Sequence, residues 1–294
     1  MKAVRLGCLS VLLGGLAAAL PAAAAPSVAI GYCTSDLAKA KAGGFDYAEL
    51  AIRDFARLSA PDFAAFLATH RAVGLPTPVG YLFLPADLKV VGPEVDDARL
   101  DEYVRSAFDR AQTLGMRIVT FGSGDARRVP DGFAKDAALR QLVAFARRIA
   151  PEAERRGLVV TVEPQRPEET NIINSAAEGL DLVERVDHPA FELMVDFYHL
   201  ASVHEDPGIL LKAKGRVRHI HFANPNGRVF PREADEFDYA AFFANLRRIG
   251  YRGGLSIEAQ TDDFGQDAPR AIAFLRAALK GPLAPPTRSA ESAP

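Results

Sequence analysis

From residue 28 onward the chain alternates short β-rich runs with longer stretches of helical periodicity, eight times over. The runs fall at 28–33, 47–52, 77–84, 117–122, 158–163, 191–196, 217–223 and 254–259. Between them lie amphipathic segments such as LDEYVRSAFDRAQTLG and LRQLVAFARRIAPEAERRG, which end in glycine, as helix C-termini commonly do. Continuous strand–helix alternation predicts parallel strands joined by crossover helices. Eight repeats match an α/β fold of the (β/α)₈ TIM-barrel type, a single domain over residues 26–282. The rival, a doubly wound open sheet, would carry a G-x-G-x-x-G turn after its first strand, and none is there.

Both ends of the chain differ from this pattern. Residues 1–25 hold Lys2 and Arg5, then an apolar run over 6–20, then Pro21 and four alanines. This is the layout of a secretory signal peptide cleaved near Ala25, and the apolar run is shorter than the roughly 20 residues a membrane span needs. The expectation is a secreted or periplasmic chain with no membrane attachment after cleavage. Residues 283–294, LAPPTRSAESAP, are expected to form a disordered tail. The whole chain carries 35 Lys and Arg against 37 Asp and Glu, a balance that gives no general attraction to nucleic acid or to anionic membranes. Of the two cysteines only Cys33 lies beyond the cleavage point, so the mature chain has no intramolecular disulfide, and Cys33 is expected to pack as a small buried residue.

Barrel active sites gather at the C-terminal ends of the strands, so ionisable residues there become the candidates. VVTVEPQ ends in Glu163, ELMVDFYH in Asp196, HIHFAN in His221 and LSIEAQ in Glu258. Four consecutive strands would then point three carboxylates and one imidazole at one place. Three carboxylates brought together repel one another, and a divalent cation relieves that repulsion. Oxygen-rich ligation with one nitrogen suits Mn²⁺ first, with Mg²⁺, Co²⁺ or Zn²⁺ as alternatives. His219 stands two residues before His221 and shares its face of the strand, so the pair would serve either as two ligands or as one ligand and its support.

The motifs VEPQRPEETN, VDFYH, HIHFANPNGR and SIEAQ, in that order, resemble the sugar isomerase/epimerase group of the xylose-isomerase-like barrel superfamily, which includes ketose 3-epimerases and hydroxypyruvate isomerase. The resemblance covers nearly the whole mature chain. It implies one divalent metal ion held by Glu163, Asp196, His221 and Glu258, with His219 supporting the strand end. It also implies that Glu169 and His199 contact the carbonyl end of a sugar. Arg228, one residue further along than the epimerase spacing, is implied as another substrate contact.

The expected reaction is proton abstraction next to a carbonyl through an enediolate, with Glu163 and Glu258 as the catalytic pair. A keto-glycoside lyase or hydrolase using the same site is the alternative, ahead of an endonuclease IV-like nuclease or a non-catalytic sugar-binding protein. The expected partner is a small-molecule sugar rather than nucleic acid, and a homo-oligomer is left open. Among lesser features, GSGDARRVPDG at 122–132 reads either as a ligand-approaching loop or as a structural turn. Glu49 reads either as a pocket-lining residue or as a loop cap, His70 and His188 as surface residues, and His204 as a residue near the rim.

Overall fold

Runs such as YAELA, VVTV and FELMVD are buried or nearly so along their whole length, leaving no polar face for solvent. Strands of that kind need cover on both sides, which a closed parallel barrel wrapped in helices supplies. The computed structural model describes residues 28–283. The expected signal peptide, and the expected tail beyond its first residue, lie outside the described residues. The chain runs β1 (Ile30–Cys33), α1 (Leu37–Ala42), β2 (Tyr47–Ala51), α2 (Ile52–Phe55), α3 (Ala60–Val73), β3 (Val79–Tyr81) and α4 (Asp97–Thr113). It continues through β4 (Ile118–Phe121), α5 (Gly124–Arg127), α6 (Lys135–Glu154), β5 (Val159–Val162), α7 (Ala176–Val186), β6 (Phe191–Asp196) and α8 (Phe197–Ser202). The last elements are α9 (Ile209–Lys212), β7 (Val217–Phe222), α10 (Ala240–Arg248), β8 (Gly254–Ile257) and α11 (Phe264–Lys280). The eight strands pair in chain order and close, with β1 hydrogen-bonded in parallel to β8. The expected TIM barrel is therefore the fold.

Seven of the eight expected runs coincide with a strand to within two residues at each end. The run at 77–84 shrinks to Val79–Tyr81, because the chain leaves the extended region at Leu82, whose φ is +49°. Beyond that point Leu84 N–H donates to Ser123 Oγ at 2.9 Å, which ties the loop to the end of the next strand instead of to a ladder. Helix starts follow local chemistry. Ser59, Asp96, Ser175 and Asp263 each accept a hydrogen bond from a backbone N–H of the first turn of the helix that follows. No helix among the described residues is long and apolar enough to cross a membrane.

Alternation along each strand separates two environments. On β7, Ile220 and Phe222 belong to the apolar layer, and the Phe222 ring lies 5.1 Å from that of Phe243 on α10. His219 and His221 take the opposite parity and enter the barrel. Register then sets their height: Asp196 pairs with His221, and His221 with Ser256, so the ends of β6, β7 and β8 stand side by side. The apolar layer carries the stability. Phe222 is fully buried and stacks on Phe197 with centroids 4.8 Å apart. Phe222→Ala is expected to cost about 3–5 kcal/mol of unfolding free energy, read as a lower urea midpoint with little change in slope.

Candidate metal centre and active site

Three of the four strand-end residues, Asp196, Glu163 and His221, use one part of the side chain for anchoring and leave another for the centre. Asp196 caps α8, its Oδ1 accepting from Tyr198 N–H at 2.8 Å, which leaves Oδ2 facing the centre. Glu163 Oε2 lies 3.3 Å from the Gln165 amide, and its Oε1 has no hydrogen-bond partner although it is buried. His221 Nε2 faces Glu49 Oε1 at 3.0 Å, while Nδ1 faces Glu258 Oε2 at 3.1 Å and Glu163 Oε1 at 3.3 Å. One donor atom from each of Glu163, Asp196, His221 and Glu258 lies within 4.8 Å of the others. Donors around a six-coordinate ion at roughly 2.1 Å stand about 3–4.2 Å apart, so this set fits a single divalent cation. The unpartnered, buried Oε1 of Glu163 supports that fit, since a buried carboxylate oxygen without a donor is otherwise unfavourable.

The loop after β4 fixes Glu163. A Cβ at Gly122 would meet Glu163 Oε2 at 2.1 Å, so only glycine lets the carboxylate sit there. Behind it Arg127 is fully buried and donates to the Glu163 carbonyl at 2.6 Å and to Gln165 Oε1 at 3.3 Å. Gln165 in turn orients Glu163. Residues 122–132 thus act as a brace rather than as a ligand-approaching loop, at least through Gly122 and Arg127. Burial lowers the Arg127 guanidinium to about 10, against the opposing charges of Glu163 and Glu169, so it stays a cation at neutral pH.

The residues expected to meet substrate also converge. His199, on α8, is 3% exposed and lies 3.6 Å from both Asp196 Oδ2 and Glu169 Oε2. Its Nδ1 accepts from Arg166 N–H at 3.4 Å, which places the ring proton on Nε2, where no hydrogen-bond partner is present. Arg228 spans the opening, 2.8 Å from Glu258, 3.1 Å from Glu169 and 3.5 Å from Asp196, with its guanidinium stacked 4.6 Å above the Tyr198 ring. Its backbone φ of +53° is uncommon for a residue with a side chain, and it follows Gly227 at +88°. His204 is exposed with φ +54° and makes no part of this group. His70 bonds Thr77 Oγ1 at 2.8 Å, and both it and His188 are half-buried away from the centre.

Glu49 is where the structure corrects the sequence reading. It neither lines the opening nor caps a loop. It sits within β2, fully buried, with Oε2 at 2.9 Å from His219 Nε2 and Oε1 on His221. His219 therefore supports the strand end through Glu49. Gln165 is a residue the sequence reading did not single out, although it stands two residues after Glu163 in EPQ, and Arg127 was legible only as one of the arginines of the loop at 122–132, not as the brace of Glu163.

Charge in the centre is shared out by these contacts. Burial opposes ionisation of Glu163, but His221, whose Nδ1 lies 3.3 Å from its Oε1, overrides it and brings the carboxyl down to about 2. Burial raises Asp196 above the ordinary carboxylate range, against the pull of His199 and Arg228. Burial disfavours a charged His221, yet Glu49 foremost holds its proton well above the usual imidazole value. A cation that takes Nδ1 must displace that proton. Because the imidazole value is raised, the proton competes across the neutral range, so lowering the pH weakens the cation and raising it helps. Manganese binding is expected to release about one proton per site and to tighten from about pH 6 to 8. Calorimetry in buffers of different ionisation enthalpy reads both, and an affinity independent of pH would contradict it.

Comparison with known proteins follows this geometry. A family model described as xylose isomerase-like TIM barrel matches residues 37–278. The L-ribulose 3-epimerase of Methylomonas sp. (strain DH-1) is 27% identical over 231 residues, covering 76% of this chain and 77% of that one. Among solved structures, the D-allulose 3-epimerase from Methylomonas sp. superposes with a TM-score of 0.74 at 24% identity, over 87% of this chain and 99% of that chain. The 3-keto-D-glucoside 4-epimerase from E. coli does so with a TM-score of 0.70 at 19% identity, over 85% and 99%. At such identities the structural likenesses speak for the fold. With the family model spanning all eight βα units but the first strand, the chain belongs to the xylose isomerase-like TIM barrel family.

Proposed function

We propose that this protein is a sugar epimerase or isomerase that moves a proton next to a carbonyl, using one divalent cation, manganese first, at Glu163, Asp196, His221 and Glu258. The observation that carries the reading is the convergence of two carboxylates from separate strands: Glu163 after β5 and Glu258 after β8 approach the same His221 nitrogen at 3.3 and 3.1 Å. A bound divalent cation would supply Lewis-acid stabilisation of the negative charge that develops on substrate oxygen as the proton leaves.

The chain's own residues divide the remaining work. Glu163 and Glu258 reach the centre from strands that β6 and β7 separate, so they address a bound carbon from different sides. One removes the proton and the other returns it, which inverts that carbon by way of an enediolate, while return to the neighbouring carbon interconverts aldose and ketose. His199 presents a buried Nε2–H with no hydrogen-bond partner, suited to a substrate oxygen. Glu169, one-quarter exposed, and Arg228 stand at the opening, where their charges and hydrogen-bonding atoms suit hydroxyl groups further along a sugar chain.

The test is exchange of carbon-bound hydrogen in deuterated water, followed by NMR on L-ribulose and D-allulose with manganese present. Wild type is expected to exchange the proton at the epimerised carbon. Glu163→Gln and Glu258→Gln are each expected to lose that exchange by 10²-fold or more. Metal content measured alongside separates loss of the base from loss of the ion. Normal exchange in both variants would sink the two-glutamate scheme.

Export is the second part of the proposal, and it rests on residues 1–25 of the sequence. Cell fractionation followed by N-terminal sequencing is expected to find a chain beginning after about Ala25 outside the cytoplasm. A cytoplasmic chain retaining Met1 would refute it.

A further inference from the structure

The two ring nitrogens of His221 look in opposite directions. Nδ1 meets Glu258 and Glu163, where the cation of the proposed function would sit, and Nε2 meets Glu49 Oε1 at 3.0 Å. The second oxygen of Glu49 meets His219 Nε2 at 2.9 Å. Glu49 and His219 are 0% exposed and His221 is 1% exposed, so water does not share in these bonds. An ionised carboxylate only accepts, and so each imidazole must carry its proton on Nε2. For a neutral His221 that leaves the Nδ1 lone pair free and aimed at the centre.

Nothing in strand pairing requires this contact. Glu49 lies on β2 and the histidines on β7, strands that are not neighbours, so the carboxylate reaches across the barrel interior. An ion-pair-like contact buried there is weak evidence for added stability, because desolvation offsets most of the attraction. Its position behind a candidate ligand suggests another use. The alternative proton acceptors near these rings are poorer. Cys33 Sγ is 3.8 Å from His221 Nε2, and Ser256 Oγ is 3.3 Å from His219 Nε2 while also engaged by the Tyr47 hydroxyl at 2.8 Å.

We propose that Glu49 is a positioning residue for the metal centre, one carboxylate clamping both His219 and His221 so that His221 is held as the Nε2–H tautomer with Nδ1 turned to the cation. This rests on the metal reading of Glu163, Asp196, His221 and Glu258. Glutamine in place of Glu49 keeps the shape but offers one acceptor and one donor, so it cannot accept from both rings. One ring must then switch tautomer or lose its bond. If that ring is His221, its proton moves to Nδ1 and blocks the cation. If it is His219, the proton moves to a buried Nδ1 that has no hydrogen-bond partner.

Manganese titration calorimetry on wild type, Glu49→Gln and His219→Gln tests this, with ¹⁵N NMR of the neutral histidine rings in the metal-free proteins at alkaline pH as a readout of tautomer. Glu49→Gln is expected to bind manganese 10–100-fold more weakly and to lose the single Nε2–H signature of His221. His219→Gln removes one arm of the clamp but leaves the Glu49–His221 bond in place, so it is expected to bind manganese more weakly than wild type but less weakly than Glu49→Gln and to keep the Nε2–H tautomer of His221, which keeps the proposal testable if Glu49→Gln fails to fold. Wild-type affinity and an unchanged His221 tautomer in Glu49→Gln would overturn the proposal while leaving the metal reading intact. A drop in His219→Gln as large as the one expected for Glu49→Gln would also overturn it, by showing that general packing is responsible. A wild type that binds no manganese would overturn the metal reading itself.

Discussion

Like charges brought to one point are the constraint on which the rest of this structure depends. Glu163, Asp196 and Glu258 converge at the C-terminal end of the barrel, and two of them are nearly inaccessible to water. In a medium of low polarity each would be driven to protonate unless positive charge lay against it. His221 and Arg228 supply such charge from the protein itself, one from within the barrel and one from the opening. The donor set has room for a divalent cation to do the same, and the architecture around it makes sense as a means of holding repelling groups in a fixed arrangement.

That holding is done by contacts one step removed from the centre. Asp196 is fixed because it caps a helix, so the end of β6 and the start of α8 orient it together. Glu163 is fixed from the β4 side, where Gly122 gives it space and Arg127 and Gln165 define its direction. His221 is fixed through Glu49 from the opposite wall of the barrel. Three different elements therefore determine the orientations of three candidate ligands. Arg127 shows what this arrangement costs: a guanidinium buried entirely, bonded largely to carbonyls, with its Nε unpartnered. A residue placed so unfavourably for stability, and so close to Glu163, is better explained by orientation than by packing.

Family membership and the site's chemistry support the proposed function in different ways. The family model and the epimerase relatives bear on fold and general activity, whereas the convergence of Glu163 and Glu258 bears on how a proton would be moved. On the proposed function, selectivity among sugars would belong to the opening, where Glu169, Arg228 and His199 meet, and the turn at Arg228, with its left-handed backbone, places that guanidinium over Tyr198. Loops of this kind vary without disturbing the strands beneath them, which is how one barrel serves many substrates.

The sequence by itself determined the barrel and the level at which its chemistry sits. Strands buried on both faces and separated by helical segments leave few other folds, and a charged residue that follows a buried strand is placed by the fold at the C-terminal rim. For that reason Glu163, Asp196, His221 and Glu258 were legible as a group from spacing alone, and the length of the third strand was not, since the left-handed turn at Leu82 has no local sequence mark. Only the tertiary structure decided what stands behind the candidate ligands. Glu49 and His219 are 170 residues apart on strands that do not pair, and Arg127 is buried against the carbonyl of Glu163, 36 residues further along the chain. Such contacts arise from closure of the barrel, which brings opposite walls together in a way that no periodicity along the chain encodes.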